Sequence, residues 1–128
     1  MGGRDSRVVE FPVTVGEGEG KREYGKFSAR IRDYDAALSI ELKTDMLIRE
    51  RSMDPDQIST QSRMHFMLLA GFSVTCEKMP EGFSVEDLMH GTMGEAVDFL
   101  VAYDKELVAA EERFRQGRKA AAAPVTLG

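Results

Sequence analysis

The chain of 128 residues has only one cysteine and two histidines, and each of these shortages argues against a class of protein. The single thiol, Cys76, has no partner for an internal disulfide, which is typical of a reducing compartment. Neither His65 nor His90 has a second histidine or a cysteine at metal-ligand spacing, so the pattern disfavours a zinc site. The sequence has no apolar run of about 18 residues, and its start lacks the apolar core of a signal peptide. We therefore expect a cytoplasmic protein with no cofactor, no metal and no membrane partner.

Positive charge is scarce over most of the chain. The net charge is −5, and residues 33–116 carry eight basic side chains against seventeen acidic ones. Nucleic-acid binding depends on clustered Lys and Arg, so this composition disfavours DNA or RNA as a partner. Two interpretations of the acidic body remain open. It is either an ordinary solvated face or a surface that complements a basic protein partner.

Residue pairs that could perform catalysis are also missing. Cys76 and His65 would lie about 16 Å apart if one helix carried both, which is too far for a thiolate–imidazole pair. Neighbouring carboxylates such as Asp33 and Asp35 fall mostly at predicted helix starts, where acidic residues cap the helix. The segment 16–22 lacks the Gly-Lys-Ser/Thr ending of a phosphate-binding loop and contains two glutamates. The sequence therefore predicts a protein that is not an enzyme and binds no small-molecule substrate.

A β-hairpin is predicted over residues 8–32. The run Val8–Val15 is rich in β-branched residues, and Pro12 places it at a sheet edge because proline has no N–H for the ladder. The second strand is predicted from apolar residues that alternate with polar ones: Phe27, Ala29 and Ile31. A lone hairpin is marginally stable in water, so it must pack on helices or gain a strand from a partner.

The following residues, 33–116, predict a body of three to four helices. The first helix begins at Asp33 or Asp35, either of which can cap it. The second is predicted over Pro55–Ala70, with Asp54 as its cap. The apolar residues expected on the buried sides of these two helices are Ala37, Leu38, Ile40, Leu42, Leu47, Ile48, Ile58, Met64, Met67, Leu68 and Phe72.

The segment 72–78 is ambiguous between helix and strand. Its residue types favour a strand, but only Gly71 interrupts the preceding helical run. We therefore interpret this segment as a continuation of the helix.

Two capping boxes, Ser84–Asp87 and Thr92–Glu95, predict a short helix followed by a long one. Apolar residues recur at helical spacing along the long helix: Val97, Leu100, Val101, Leu107, Val108 and Phe114. The last residues, 117–128, are small and terminal, which predicts a disordered tail. The sequence as a whole predicts one α+β domain over residues 1–116, in which the β-hairpin packs on a helix-dominated body.

Methionine is abundant, with eight residues in the chain. Seven of them lie within or beside the predicted helices: Met46, Met53, Met64, Met67, Met79, Met89 and Met93. Methionine is flexible and is frequent on surfaces that accept varied partners. These residues either fill an ordinary core or line a groove that binds a partner helix.

The order of these elements resembles the small tail assembly chaperones of long-tailed bacteriophages. The resemblance covers roughly residues 25–116. It is carried by the apolar run Met67–Met79, the segment Pro80–Phe83 with Val85 and Leu88 after it, and the end of the last helix at Glu112–Arg115.

This resemblance implies a protein that binds the tape measure protein, keeps it soluble and helps to recruit tail tube subunits in the cytoplasm of a bacterial host. It also fits weak self-association. The side chains expected to contact a partner, some of which must belong to the core, are Phe66, Met67, Phe72, Phe83, Leu88 and Met93. Two alternatives remain: a ring-forming structural subunit of the phage tail or neck, and a small regulatory adaptor.

Overall fold

The computed structural model describes residues 7–126 of the chain and the side chains of residues 7–117. The described residues form three strands and four α-helices: β1 (Val8–Val15), β2 (Arg22–Arg30), α1 (Tyr34–Glu50), α2 (Thr60–Thr75), β3 (Cys76–Lys78), α3 (Val85–Met89) and α4 (Met93–Thr126). The predicted fold class is confirmed, because an antiparallel N-terminal sheet packs on a helix-dominated body.

The predicted hairpin is formed by β1 and β2, which pair antiparallel with Phe11 opposite Phe27. The strand order is β1-β2-β3, so β1 lies at an edge of the sheet. Pro12 therefore sits on an edge strand, as its missing N–H requires. The side chains of Phe11 and Val13 point into the core. The alternate residues Glu10, Pro12 and Thr14 are exposed on the other face of the strand.

A bulge in β2 brings the hairpin against the segment before α3. Val13 pairs with Gly25 and Thr14 pairs with Glu23, so two residues of β2 lie opposite one of β1. Gly25 has a φ of 107°, in the left-handed region that favours glycine. A Cβ at this position would lie 2.8 Å from the Cβ of Pro80. Both the backbone conformation and the close approach of Pro80 therefore require glycine.

Aromatic side chains form the centre of the core. The ring of Phe27 on β2 lies 5.4 Å from that of Phe99 on α4 and 5.0 Å from that of Phe83, which precedes α3. Phe72 of α2 lies 4.8 Å from Tyr103 of α4, in an edge-on geometry. We call Phe27, Phe72, Phe83, Phe99 and Tyr103 the aromatic cluster. Because its members come from four separate parts of the chain, it joins the sheet to the helices.

The buried side of α4 differs from the predicted one. Phe99, Tyr103 and Leu107 follow one another at intervals of four and are almost fully buried against the sheet. Val101 and Val108 were expected in the core, but they are 48% and 46% exposed. The prediction is wrong for these two residues, because the aromatic side chains rotate the helix so that both valines face outward.

The start of the second helix also differs from the prediction. The helix begins at Thr60, and the side chain of Ser59 caps it by accepting a hydrogen bond from the N–H of Ser62 at 3.1 Å. Asp54 accepts instead from the N–H of Asp56, which forms a local turn around Pro55. The predicted start at Pro55 is wrong because a second, competing cap lies a few residues further along.

Residues 76–78 form a strand rather than the predicted continuation of the helix. α2 ends at Thr75, and β3 then pairs with β2 through Ala29 opposite Cys76 and Ser28 opposite Lys78. As a strand, residues 76–78 form backbone hydrogen bonds with the free edge of β2. They could not form these bonds if they continued the helix. This long-range pairing decides a segment whose own preference is ambiguous.

The last helix is longer than predicted. Its backbone continues to Thr126, through most of the segment 117–128 that was expected to be a disordered tail. Four consecutive alanines, 120–123, explain this length because alanine has the highest helix propensity. Residues 1–6 of the predicted domain, and residues 127 and 128 of the tail, lie outside the described residues.

An ion pair fixes the end of β2 to α4. The guanidinium of Arg32 donates to both carboxylate oxygens of Glu111, at 2.9 and 2.7 Å, and to Asp104 at 2.9 Å. The backbone N–H of Arg32 donates to Glu111 as well. The hydrogen bond to Glu111 raises the pKa of Arg32, against the opposing effect of burial. This bidentate contact sets the direction in which the chain leaves the sheet and enters α1.

Gly25→Ala should destabilise the fold. The added methyl group meets Pro80 and forces an unfavourable φ, so we expect the free energy of unfolding to fall by about 1–3 kcal/mol. Urea unfolding followed by circular dichroism measures this change. Gly71→Ala is the matched control, because Gly71 lies in α2 with open space around it. It should raise stability by about 0.5–1 kcal/mol. Equal effects at the two glycines would contradict the role assigned to the Pro80 contact.

Candidate protein-binding surface

The seven methionines of the described residues all have exposed side chains. Their exposed fractions run from 38% at Met89 to 73% at Met93. Core filling, one of the two interpretations of the methionine content, therefore does not hold for them. Flexible thioether side chains in contact with water are typical of surfaces that adapt to a partner.

A row of exposed apolar residues runs along α1. We call it the α1 ridge, and it consists of Tyr34, Leu38, Leu42 and Met46, with exposed fractions of 77%, 42%, 71% and 46%. The intervals of four place these residues on one continuous ridge of the helix. Leu38 and Leu42 were predicted on the buried side, and the prediction is wrong for both.

The buried side of α1 is formed by Thr44 and Ile48, which are fully removed from solvent. The hydroxyl of Thr44 donates to the carbonyl of Ile40 at 2.7 Å, so a polar residue can occupy this position without an unpaired group. Because the hydroxyl of Thr44 has a hydrogen-bond partner, a polar residue lies on the buried side of α1. The prediction of that side counted apolar residues only and therefore missed Thr44. A threonine took the place in the core that a leucine was expected to fill.

Three contacts hold α1 in place and keep the ridge on a rigid element. Asp33 caps the helix by accepting from the N–H of Ala36 at 2.8 Å, which confirms one of the two predicted caps. α1 packs on α2. An ion pair of 2.9 Å between Asp45 and Arg63 joins the two helices.

The six side chains that were predicted to contact a partner differ in exposure: two are buried, two are half-buried and two are exposed. Phe72 and Leu88 are 5% and 9% exposed, so they belong to the core. Phe83 is half-buried and stacks on Phe99 within the aromatic cluster. Phe66 is half-buried, and the two exposed members of the set are Met67 and Met93.

The segment Pro80–Phe83 has a structural role in this fold. Pro80 contacts the bulge at Gly25, and Phe83 enters the aromatic cluster. Ser84 then caps α3 by accepting from the N–H of Asp87, as predicted. The segment thus connects the sheet to the start of α3.

A groove of about 350 Å³ lies between the hairpin and the residues around α3. Arg22 lines it and is paired with Glu95 at 3.1 Å, while its guanidinium lies over the ring of Tyr24. Within the part of the chain whose side chains are described, every buried side-chain nitrogen or oxygen has a hydrogen-bond partner. No described polar side chain is therefore buried in this groove without a partner.

The shifted pKa values all have structural causes. Burial raises the pKa of the Cys76 thiol and of the Tyr103 hydroxyl, and Tyr103 bonds Thr75 at 2.9 Å. Hydrogen bonds from backbone N–H groups, of Ala36 to Asp33 and of Thr92 to Glu95, lower the pKa of each carboxyl group. These groups cap helices or pack in the core.

Two kinds of site are absent from the described residues. No group of three or more His, Cys, Asp or Glu side chains is arranged to hold a metal ion. No helix among them is both long enough and apolar enough to cross a membrane.

Comparison of the chain with protein-family models, with curated proteins and with solved structures gives no match.

The two helix caps should make stability depend on acid pH. Because folding lowers the pKa of Asp33 and Glu95, protonation favours the unfolded chain, and their stabilisation is lost as the pH falls through the lowered values. Asp33→Asn and Glu95→Gln keep acceptors but cannot ionise. We expect the gap in Tm between the parent chain and each variant to narrow below about pH 4. The exposed Asp98→Asn is the control, and a gap at the caps that stays constant with pH would contradict this assignment.

Proposed function

We propose that this chain is a tail assembly chaperone of the kind made by long-tailed bacteriophages, acting in the cytoplasm of the host. It binds the tape measure protein, keeps it soluble and helps to recruit tail tube subunits, without catalysis. The observation that carries the proposal is the exposure of every described methionine, because such a surface suits a partner with many apolar stripes.

The physical reason lies in what the tape measure protein, as a long helical partner, needs before the tail tube encloses it. Each of its apolar stripes is exposed to water and would otherwise promote aggregation. Methionine side chains change rotamer at little cost, so one surface can cover stripes of different sequence. The α1 ridge supplies branched and aromatic side chains in addition to this adaptable set. Apart from Met53 and Met79, which lie in loops, all of these side chains are carried by helices. The aromatic cluster and the Asp45–Arg63 pair hold α1, α2 and α4 in place.

Co-expression with the tape measure protein of the same gene cluster tests this function. We expect the long protein to become soluble and to carry many copies of this chain, counted by light scattering after pull-down. The double variant Met64→Ser, Met67→Ser should lose most of this effect, because it removes two exposed methionines of α2. Gln116→Ser, an exposed substitution on α4, is the matched control.

The same experiment separates the alternatives. A tape measure protein that stays insoluble, with this chain eluting alone as a ring of fixed size, would favour a structural tail or neck subunit. One defined partner bound with fixed stoichiometry, and no effect on the tape measure protein, would favour a regulatory adaptor.

The chain alone should self-associate weakly. Val101 and Val108 lie one heptad apart on the outer side of α4, which gives a second copy a narrow apolar stripe to contact. We expect the average mass from light scattering to rise with protein concentration and to fall back on dilution. The double variant Val101→Ser, Val108→Ser should remain monomeric over the same range, and a mass independent of concentration would contradict the prediction.

A further inference from the structure

We infer that the α1 ridge binds an amphipathic helix whose apolar stripe is flanked by Lys or Arg. The inference rests on the proposed function in that it names the chemistry of the partner at one part of the same surface. It concerns Tyr34, Leu38, Leu42 and Met46 together with the charges beside them.

The shape of the surface favours a helix. Four apolar side chains at intervals of four form a raised row, and such rows pack into the groove between two rows of a second helix. Leu42, at the middle of α1, is 71% exposed, so the row is open where such a crossing would occur. α1 packs mainly on α2 through the side that carries Thr44 and Ile48, which leaves the ridge uncovered.

Acidic side chains outnumber basic ones along α1: Asp35, Glu41, Asp45 and Glu50 against Lys43 and Arg49. This balance favours a basic partner. Glu41 and Asp45 each precede a residue of the ridge and stand four residues apart on α1, an arrangement in which like charges repel. Asp45 is paired with Arg63, whereas Glu41 is exposed and has no ion pair among the described residues. A lysine or arginine on the partner would lie beside Glu41 once the apolar rows are in contact. This attraction selects basic flanks and disfavours acidic ones.

A second copy of the chain fits this ridge poorly in an antiparallel crossing. If two copies of α1 cross antiparallel at Leu42, the two-fold axis places Glu41 and Asp45 of one copy on the same side as Glu41 and Asp45 of the other. Four carboxylates then share one edge of the contact, and each chain carries a net charge of −5. The ridge is therefore distinct from the α4 stripe at which we expect self-association.

Two labelled synthetic peptides test the inference with the full chain. Both are helical and carry the same leucine stripe, flanked by lysines in one and by glutamates in the other. Fluorescence anisotropy should show at least about tenfold tighter binding of the lysine peptide. Added salt should weaken this binding, because part of the attraction is between exposed charges.

Substitutions at exposed positions locate the site without disturbing the core. Leu42→Ser should weaken binding of the lysine peptide about tenfold. Glu41→Lys should weaken it too and should strengthen binding of the glutamate peptide. The matched controls on α4, the exposed substitutions Gln116→Ser and Asp98→Lys, should leave both affinities unchanged. Circular dichroism and Tm confirm that each variant is folded.

Several results would overturn the inference. The first is that neither peptide binds, and the second is that both bind with equal affinity. The third is that Leu42→Ser leaves the affinity for the lysine peptide unchanged. The fourth is that the α4 controls lose as much affinity as Leu42→Ser. Loss of self-association in Leu42→Ser would show that a second copy occupies the ridge instead. Failure of the chaperone function is separate: a tape measure protein left insoluble, while the lysine peptide binds at Leu42, contradicts the function and leaves the inference standing. If the tape measure protein stays soluble with the Leu42→Ser variant and the parent chain binds neither peptide, the inference is contradicted and the function stands.

Discussion

The rest of the fold depends on the aromatic cluster. Phe27, Phe72, Phe83 and Phe99 come from a strand, a helix, a loop and the long helix, so their contacts bring every layer of the domain to one point. Large rings bury much apolar area per residue, which lets a short chain build a core from few side chains. The hairpin, which is marginal alone, is stabilised because Phe11 and Phe27 pack on α4. Changes at these rings would loosen the sheet and helices together.

This core also explains the character of the surface. Because aromatic and aliphatic side chains fill the interior, the described methionines are not needed there and lie outside. The domain thus separates two kinds of apolar residue: rigid rings that fix the fold, and flexible or unpartnered side chains that face water on α1 and α2 and around α3. Rigidity beneath an adaptable surface lowers the entropy lost on binding, since only the outer side chains must become ordered.

The sequence predicted the features that depend on neighbouring residues. The hairpin, the caps at Asp33, Ser84 and Thr92, and the α+β class follow from local chemistry, and the capping box at Thr92 is reciprocal, with Glu95 bonding back to the Thr92 N–H at 3.1 Å. The faces of the helices were harder to predict. Leu42 and Ile48 look alike in the sequence, and only the position of α2 decides which is buried. The strand at Cys76 and the structural role of Pro80 likewise depend on β2, which is distant in the chain.

The outward position of the methionines has a chemical consequence. A thioether in contact with water is open to oxidants, and its sulfoxide is polar. In the described part of this domain the buried residues include no methionine, so mild oxidation would alter the surface while leaving the interior packing intact. The binding of apolar partners that we propose would then be lost before the fold, and methionine sulfoxide reductases would restore the thioethers. Binding competence and folding stability would thus fail under different chemical conditions.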